Sequence, residues 1–144
     1  MFWSVDGRIP PRMQGDIGER SALNWLIDHG ATVYLPFGHS PDIDLIANFG
    51  ETVSRVQVKT TTVLCHRRWV VSLATRGGNQ SWSGLVKYFD AERCDHLFVL
   101  AADGRRWFIP STDVEGRAGL LLGGPKYAAY EVECDRPFDV ARVA

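Results

Sequence analysis

Ile43-Asp44-Leu45-Ile46-Ala47-Asn48-Phe49-Gly50-Glu51-Thr52-Val53-Ser54-Arg55-Val56-Gln57-Val58-Lys59-Thr60 is the stretch that decides how this chain folds. Two apolar runs flank Asn48-Phe49-Gly50-Glu51, a turn by composition, so Ile43–Ala47 reads as one strand and Val53–Leu64, rich in Val and Thr, as a longer one. Asp44 breaks the first run. A carboxylate in a strand covered on both faces needs a strong partner, whereas one on a solvated edge does not. In the longer strand, Val56, Val58 and Thr60 alternate with Arg55, Gln57 and Lys59, a pattern that a merely exposed polar face would also produce. If Asp44 sits opposite Gln57, the midpoint of the pairing falls between Gly50 and Glu51, inside the turn. That register puts Asp44, Gln57 and Lys59 on one face, with cross-strand neighbours about 5 Å apart.

Working outward, Asp16–His29 is helical in pattern, with Gly30 as a left-handed cap and Ala22, Leu23, Leu26 and Ile27 as the apolar stripe. Glu19 falls in the middle of that stripe. An acid there either caps the first turn and complements the helix dipole, or meets a cation or partner in the core. A helix packed on the face of Asp44, Gln57 and Lys59 brings Glu19 to them. Two carboxylates, an amide oxygen and a lysine then converge, a hard donor set suited to Mg²⁺ or Mn²⁺.

The remaining segments complete an α/β reading. Ala31–Pro36 and Trp69–Ala74 are further strands, with Cys65–Arg68 a turn and 75–81 a loop. Residues 85–91 read as a short helix. His96–Ala101 and Arg106–Ile109 form a hairpin turning at Asp103-Gly104-Arg105. Thr112 begins a brief helix, and Ala128–Glu133 is a last strand. The expectation is one domain over residues 1–144, with 1–14 an irregular N-terminal arm and a mixed central sheet flanked by helices.

Composition sets the bounds. With 45% hydrophobic and 23% charged residues the chain is ordinary globular material, and no apolar run is long enough to span a bilayer. No signal peptide is visible at Met1-Phe2-Trp3-Ser4, and three scattered cysteines without a CxxC pair suit reduced thiols in a cytoplasmic, intracellular protein. The net charge of −1 gives no global basic footprint, so any nucleic-acid contact must be local.

Gly15-Asp16-Ile17-Gly18-Glu19, Pro41-Asp42-Ile43-Asp44-Leu45 and Gln57-Val58-Lys59-Thr60, in that order and spacing, resemble the PD-(D/E)XK nuclease superfamily. The nearest branch is that of homing endonucleases and Holliday-junction resolvase-like proteins. The likeness continues through Cys94–Val99 and Trp107–Pro110, covering about residues 15–110. It implies a restriction-endonuclease-like fold and a Mg²⁺- or Mn²⁺-dependent endonuclease acting on duplex or branched DNA. Asp44 is then the principal metal ligand, the Val58 carbonyl and Glu19 complete the site, and Lys59 is the catalytic lysine. Gln57 stands where Asp or Glu is usual, a neutral and weaker ligand that the homing branch also uses. Lys59 either stabilises the attacking hydroxide and the phosphate or, if its pKa is depressed by burial, acts as base. Cutting two strands favours a homo-oligomer, a dimer or tetramer, with no membrane partner. Arg8 and Arg12 on the arm, Arg67 and Arg68 in the basic turn, and Arg76 in the loop are the candidate DNA contacts. The competing reading is a non-catalytic DNA- or protein-binding module on the same fold.

Overall fold

The structure, a computed structural model, describes residues 9–38, 40–76 and 86–139. Helix α1 spans Pro11–Asp28, starting earlier than expected at Asp16. Pro10 and Pro11 carry the φ that a first helical turn needs and lack only an N–H that would have no partner there, so they open the helix. Residues 11–14 are therefore helical, not part of an irregular arm. The helix ends as Gly30 implies. At φ +90°, Gly30 donates to the Ile27 carbonyl while Ala31 donates to Leu26, closing the last turn.

The strands are β1 (Thr32–Tyr34), β2 (Leu45–Asn48), β3 (Val53–Thr61), β4 (Leu64–Cys65), β5 (Arg68–Ser72), β6 (Thr75–Arg76), β7 (Val86–Lys87), β8 (His96–Ala101), β9 (Arg106–Pro110), β10 (Gly119–Leu122) and β11 (Glu131–Val132). Six form the central sheet in the order β1-β2-β3-β8-β9-β11. Its pairs are antiparallel except β3 with β8, which run parallel, so the expected mixed sheet is present. A second sheet, β10-β5-β4, comes partly from the crossover between β3 and β8.

Strand β8 shows the layering. Phe98 and Leu100 are buried with Ala22, Trp25 and Leu26 of α1, while Leu97 and Val99 are buried with Trp69, Val71 and Leu120 of the second sheet. A strand covered on both faces must be apolar throughout, which is why His96–Ala101 reads as a continuous hydrophobic run. Among the described residues, the single α-helix covers one face of the central sheet and the three-stranded sheet covers the other.

Several segments differ from the sequence reading. Of the expected helix over 85–91, residue 85 lies outside the described residues, and the rest is β7, a non-helical stretch and a turn beginning at Ala91. Phe89 is buried and exchanges backbone bonds with Arg117 and Gly116, so it pairs laterally and does not coil. Ala128–Tyr130 is a 3-10 turn, and only Glu131–Val132 of the expected last strand pairs, with β9. Ser111–Val114 is also a 3-10 turn, and β10 was not expected at all. The α1 stripe is rotated: Gly18, Ser21, Ala22, Trp25 and Leu26 are buried, whereas Ile27 is 51% exposed.

Gly18 seats the helix on β3. A Cβ there would stand 2.5 Å from Thr60 Cγ2 and 3.2 Å from Val58 Cγ1, closer than packed carbons approach. Gly18→Ala is therefore expected to destabilise by about 1–3 kcal/mol through overpacking, despite alanine's better helix propensity. In urea denaturation the second change Thr60→Ser, which deletes the clashing methyl, should recover most of the loss. An unchanged midpoint in Gly18→Ala would mean that α1 does not rest on β3 at this glycine.

Candidate active site

The site begins where β2 parts from β3. The ladder runs from Asn48↔Val53 to Leu45↔Val56, the register expected from the turn. One residue further, the Asp44 N–H donates to the Val56 carbonyl at 2.9 Å, although Val56 already faces Leu45. Two successive residues thus address one, a bulge that ends the pairing and turns the strand away. From Gln57 to Thr61, β3 keeps β8 on one side and loses β2 on the other.

That opening exposes backbone. The even residues of β3 direct their N–H and C=O towards β2, as the Val56 carbonyl shows, while Arg55 and Thr61 carbonyls accept from the β8 side. The Val58 N–H is therefore left without a strand partner, and Asp44 Oδ2 accepts it at 2.7 Å. A carboxylate accepting a backbone N–H is a short, charge-assisted bond that fixes the aspartate on the open edge. The Val58 carbonyl lies along the same edge.

Glu19 reaches this point from α1. Its carboxyl lies within hydrogen-bonding reach of the Asp44 carboxyl and is pushed to a higher pKa, first by burial, then by the charge of Asp44 and the hydrogen bond between them, with Asp16 adding a smaller repulsion. The sequence reading placed α1 on the face of Gln57 and Lys59, and the structure corrects this. Gly18 packs against Val58 and Thr60, whereas Gln57 and Lys59 pair with Leu97 and Val99, whose side chains face the second sheet. Glu19 meets Asp44 all the same, because the bulge brings the aspartate to the edge that divides the two faces.

On the other face, Gln57 lines a hollow with Asp42, Leu73, Tyr88, Phe89, Asp90 and Arg93. Asp42 is held by Arg93, whose Nη1 lies 3.2 Å from Asp42 Oδ2 while Nε lies 3.5 Å from Asp90. Arg93 and Tyr88 gave no signal in the sequence, because only the fold carries them across to Asp42 and Gln57. The Lys59 side chain makes no hydrogen bond or ion pair among the described residues, while its backbone belongs to the β3–β8 ladder. Of the candidate DNA contacts, Arg12 is exposed on the first turn of α1, Arg67 is exposed in the β4–β5 turn and Arg68 is half-buried beside it. Arg8 and the side chain of Arg76 lie outside the described residues.

The donors that the structure brings to the edge are oxygen alone, Asp44, Glu19 and the Val58 carbonyl, while the Gln57 amide lines the hollow on the other face. Among the described residues no cluster of three or more His, Cys, Asp or Glu forms. Two carboxyls pressed together at a cost are relieved by a divalent cation between them, so the residues present fit such an ion. Glu19 is easier to protonate folded than unfolded. Its contribution to stability is complete below its ordinary value of 4.5 and is lost as pH rises through the higher folded value. Glu19→Gln should consequently raise Tm at pH 7 in chelator, with the gain disappearing below about pH 4. An equal or lower Tm at pH 7 would show that the two carboxyls do not strain each other.

A family model described as PD-(D/E)XK endonuclease matches residues 9–115, which include α1, β2, β3 and the hollow. Among solved structures, the bacterial homing endonuclease I-Ssp6803I superposes with a TM-score of 0.72 over 84% of this chain and 88% of that one. At 17% identity this likeness shows the fold alone. No curated protein sequence matches. With the family model spanning most of the chain and the acidic edge in place, the chain belongs to the PD-(D/E)XK endonuclease family.

Proposed function

We propose that this chain hydrolyses phosphodiester bonds in DNA with a divalent cation, Mg²⁺ or Mn²⁺, held by Asp44, Glu19, the Val58 carbonyl and Gln57. The observation that carries the proposal is the strained Glu19–Asp44 pair on the open edge of β3. Isolated structural carboxylates are usually kept apart, and pairs pushed together mark functional sites.

Each residue has a definable task. What the cation supplies when bound is a more acidic water and neutralisation of charge at the phosphate. Asp44 is kept from rotating away by the Val58 N–H. Glu19 adds the second negative charge, and its position follows from the close seat of the helix at Gly18. Gln57 contributes an oxygen without charge, which leaves the site less negative than one with a third carboxylate and more open to a phosphate. Lys59, two residues along the same face, has no acid partner among the described residues to neutralise it. Its ammonium is assigned to the phosphate oxygens and the attacking water, where charge develops. A chain carrying one such site cuts one strand at a time, so a homo-oligomer would supply the second cut.

The likeness to a homing endonuclease favours duplex DNA over a four-way junction as the first substrate to test. Supercoiled plasmid should be nicked or linearised with Mg²⁺ or Mn²⁺ and left intact in EDTA. Asp44→Asn, which keeps an acceptor for the Val58 N–H, and Lys59→Ala should each lower the rate roughly 10³-fold or more with unchanged circular dichroism. Absence of metal-dependent cutting of both plasmid and junction would return the chain to the binding-module reading. Wild-type rates in either mutant would remove that residue from the mechanism.

A further inference from the structure

The turn between β4 and β5 is made by residues poorly suited to it. Cys65 pairs with Arg68, leaving His66 and Arg67 as a two-residue loop. Both have positive φ, 49° and 64°, and among the described residues they are the non-glycine positions with that conformation. Two consecutive left-handed residues define the tight hairpin turn for which Asn-Gly is strongly preferred, because a Cβ there crowds the backbone. His66 and Arg67 gain nothing back from packing, since both side chains are exposed. Strain held at exposed residues is a pointer to function.

The surroundings point the same way. Arg67 and Arg68 have no acid partner among the described residues, which is also true of Arg12, Arg20 and Arg117, but only Arg67 and Arg68 stand side by side in one turn, next to His66. In a chain of net charge −1 this is a local excess of positive charge. The hairpin is also firmly based. Trp69 beside it is 2% exposed, Leu122 of β10 pairs with Trp69, and Arg68 lies over Gly124, where a Cβ would come within 2.5 Å of its Nε. A two-stranded ribbon with a rigid base and an exposed basic tip has the dimensions to enter the major groove of a duplex.

We propose that the β4–β5 hairpin tip is a duplex-DNA contact separate from the acidic edge, with Arg67 and Arg68 on the phosphate backbone and His66 turned to the groove. The proposal rests on the nuclease reading above for its choice of ligand.

The test is replacement of the loop by the residues that its backbone prefers. His66→Asn with Arg67→Gly should raise Tm by roughly 3–5 °C, since strain is removed. The same double change should weaken binding of a fluorescein-labelled duplex, followed by anisotropy in EDTA so that no probe is cut, by roughly tenfold. The slope of log K against log salt should fall by about 0.9 in magnitude. Arg67→Ala alone should show the same slope change, and Arg67→Lys should restore most of it. Wild-type affinity and slope in the double variant, with the wild type binding normally, would overturn the hairpin assignment and leave the nuclease reading standing. A wild type that binds no duplex at any salt in EDTA would overturn the hairpin assignment, while the nuclease reading stands or falls on metal-dependent cutting.

Discussion

The hydrogen bond from the Val58 N–H to Asp44 Oδ2 is the interaction on which the rest of the site depends. Strand β3 is long and β2 is short, so half of one edge of β3 has unpaired backbone in the middle of a sheet. Such an edge usually invites pairing with another chain or must be blunted. Here a side chain from the strand that has just departed closes it. The closure costs the aspartate its freedom and leaves its charge at a fixed place, beside a carbonyl of the same strand. The residue that meets a structural need, an acceptor for one amide, is the one that the proposed chemistry requires as an immobile carboxylate.

The second constraint is the distance between α1 and β3. Only a residue without a side chain allows the helix to lie over Val58 and Thr60, and the next residue along the helix is Glu19. Close packing thus delivers a second carboxyl to the first, where burial and repulsion push its pKa up. From the opposite face Gln57 opens into a hollow whose wall includes the Asp42–Arg93 ion pair. The edge of β3 is the line along which groups from both faces of the sheet can meet. A single helix on one side and a small sheet on the other suffice to build it.

Much of this was legible in the residues themselves. The turn at Phe49–Thr52 fixes the β2–β3 register because a hairpin has few ways to close, and Asp44 stands out because apolar strands rarely contain an acid. The β8–β9 hairpin was equally plain, with Gly104 at φ +94° between two apolar runs. What alternation could not show was the side on which α1 lies. Val56, Val58 and Thr60 are as good a seat for a helix as any apolar face, and the helix's own stripe was misplaced because Trp25 and Gly18, not Ile27, face inwards. Nor could alternation reveal the bulge at Asp44, a departure from alternation itself. Gly119–Leu122 was missed because three leucines between glycines carry no period, and Tyr88–Phe89 because its pairing with Gly116–Arg117 is a long-range choice. Arg93 was invisible for the same reason: its partner Asp42 lies far away in the chain.

In the proposed site Glu19 and Asp44 share one cation on the open edge of β3. Crystals soaked in Mn²⁺ and measured at its absorption edge test this without recourse to activity. An anomalous peak is expected roughly 2.0–2.3 Å from oxygens of Asp44, Glu19 and the Val58 carbonyl. A peak elsewhere, or one that binds Asp44 while Glu19 points away, would contradict it.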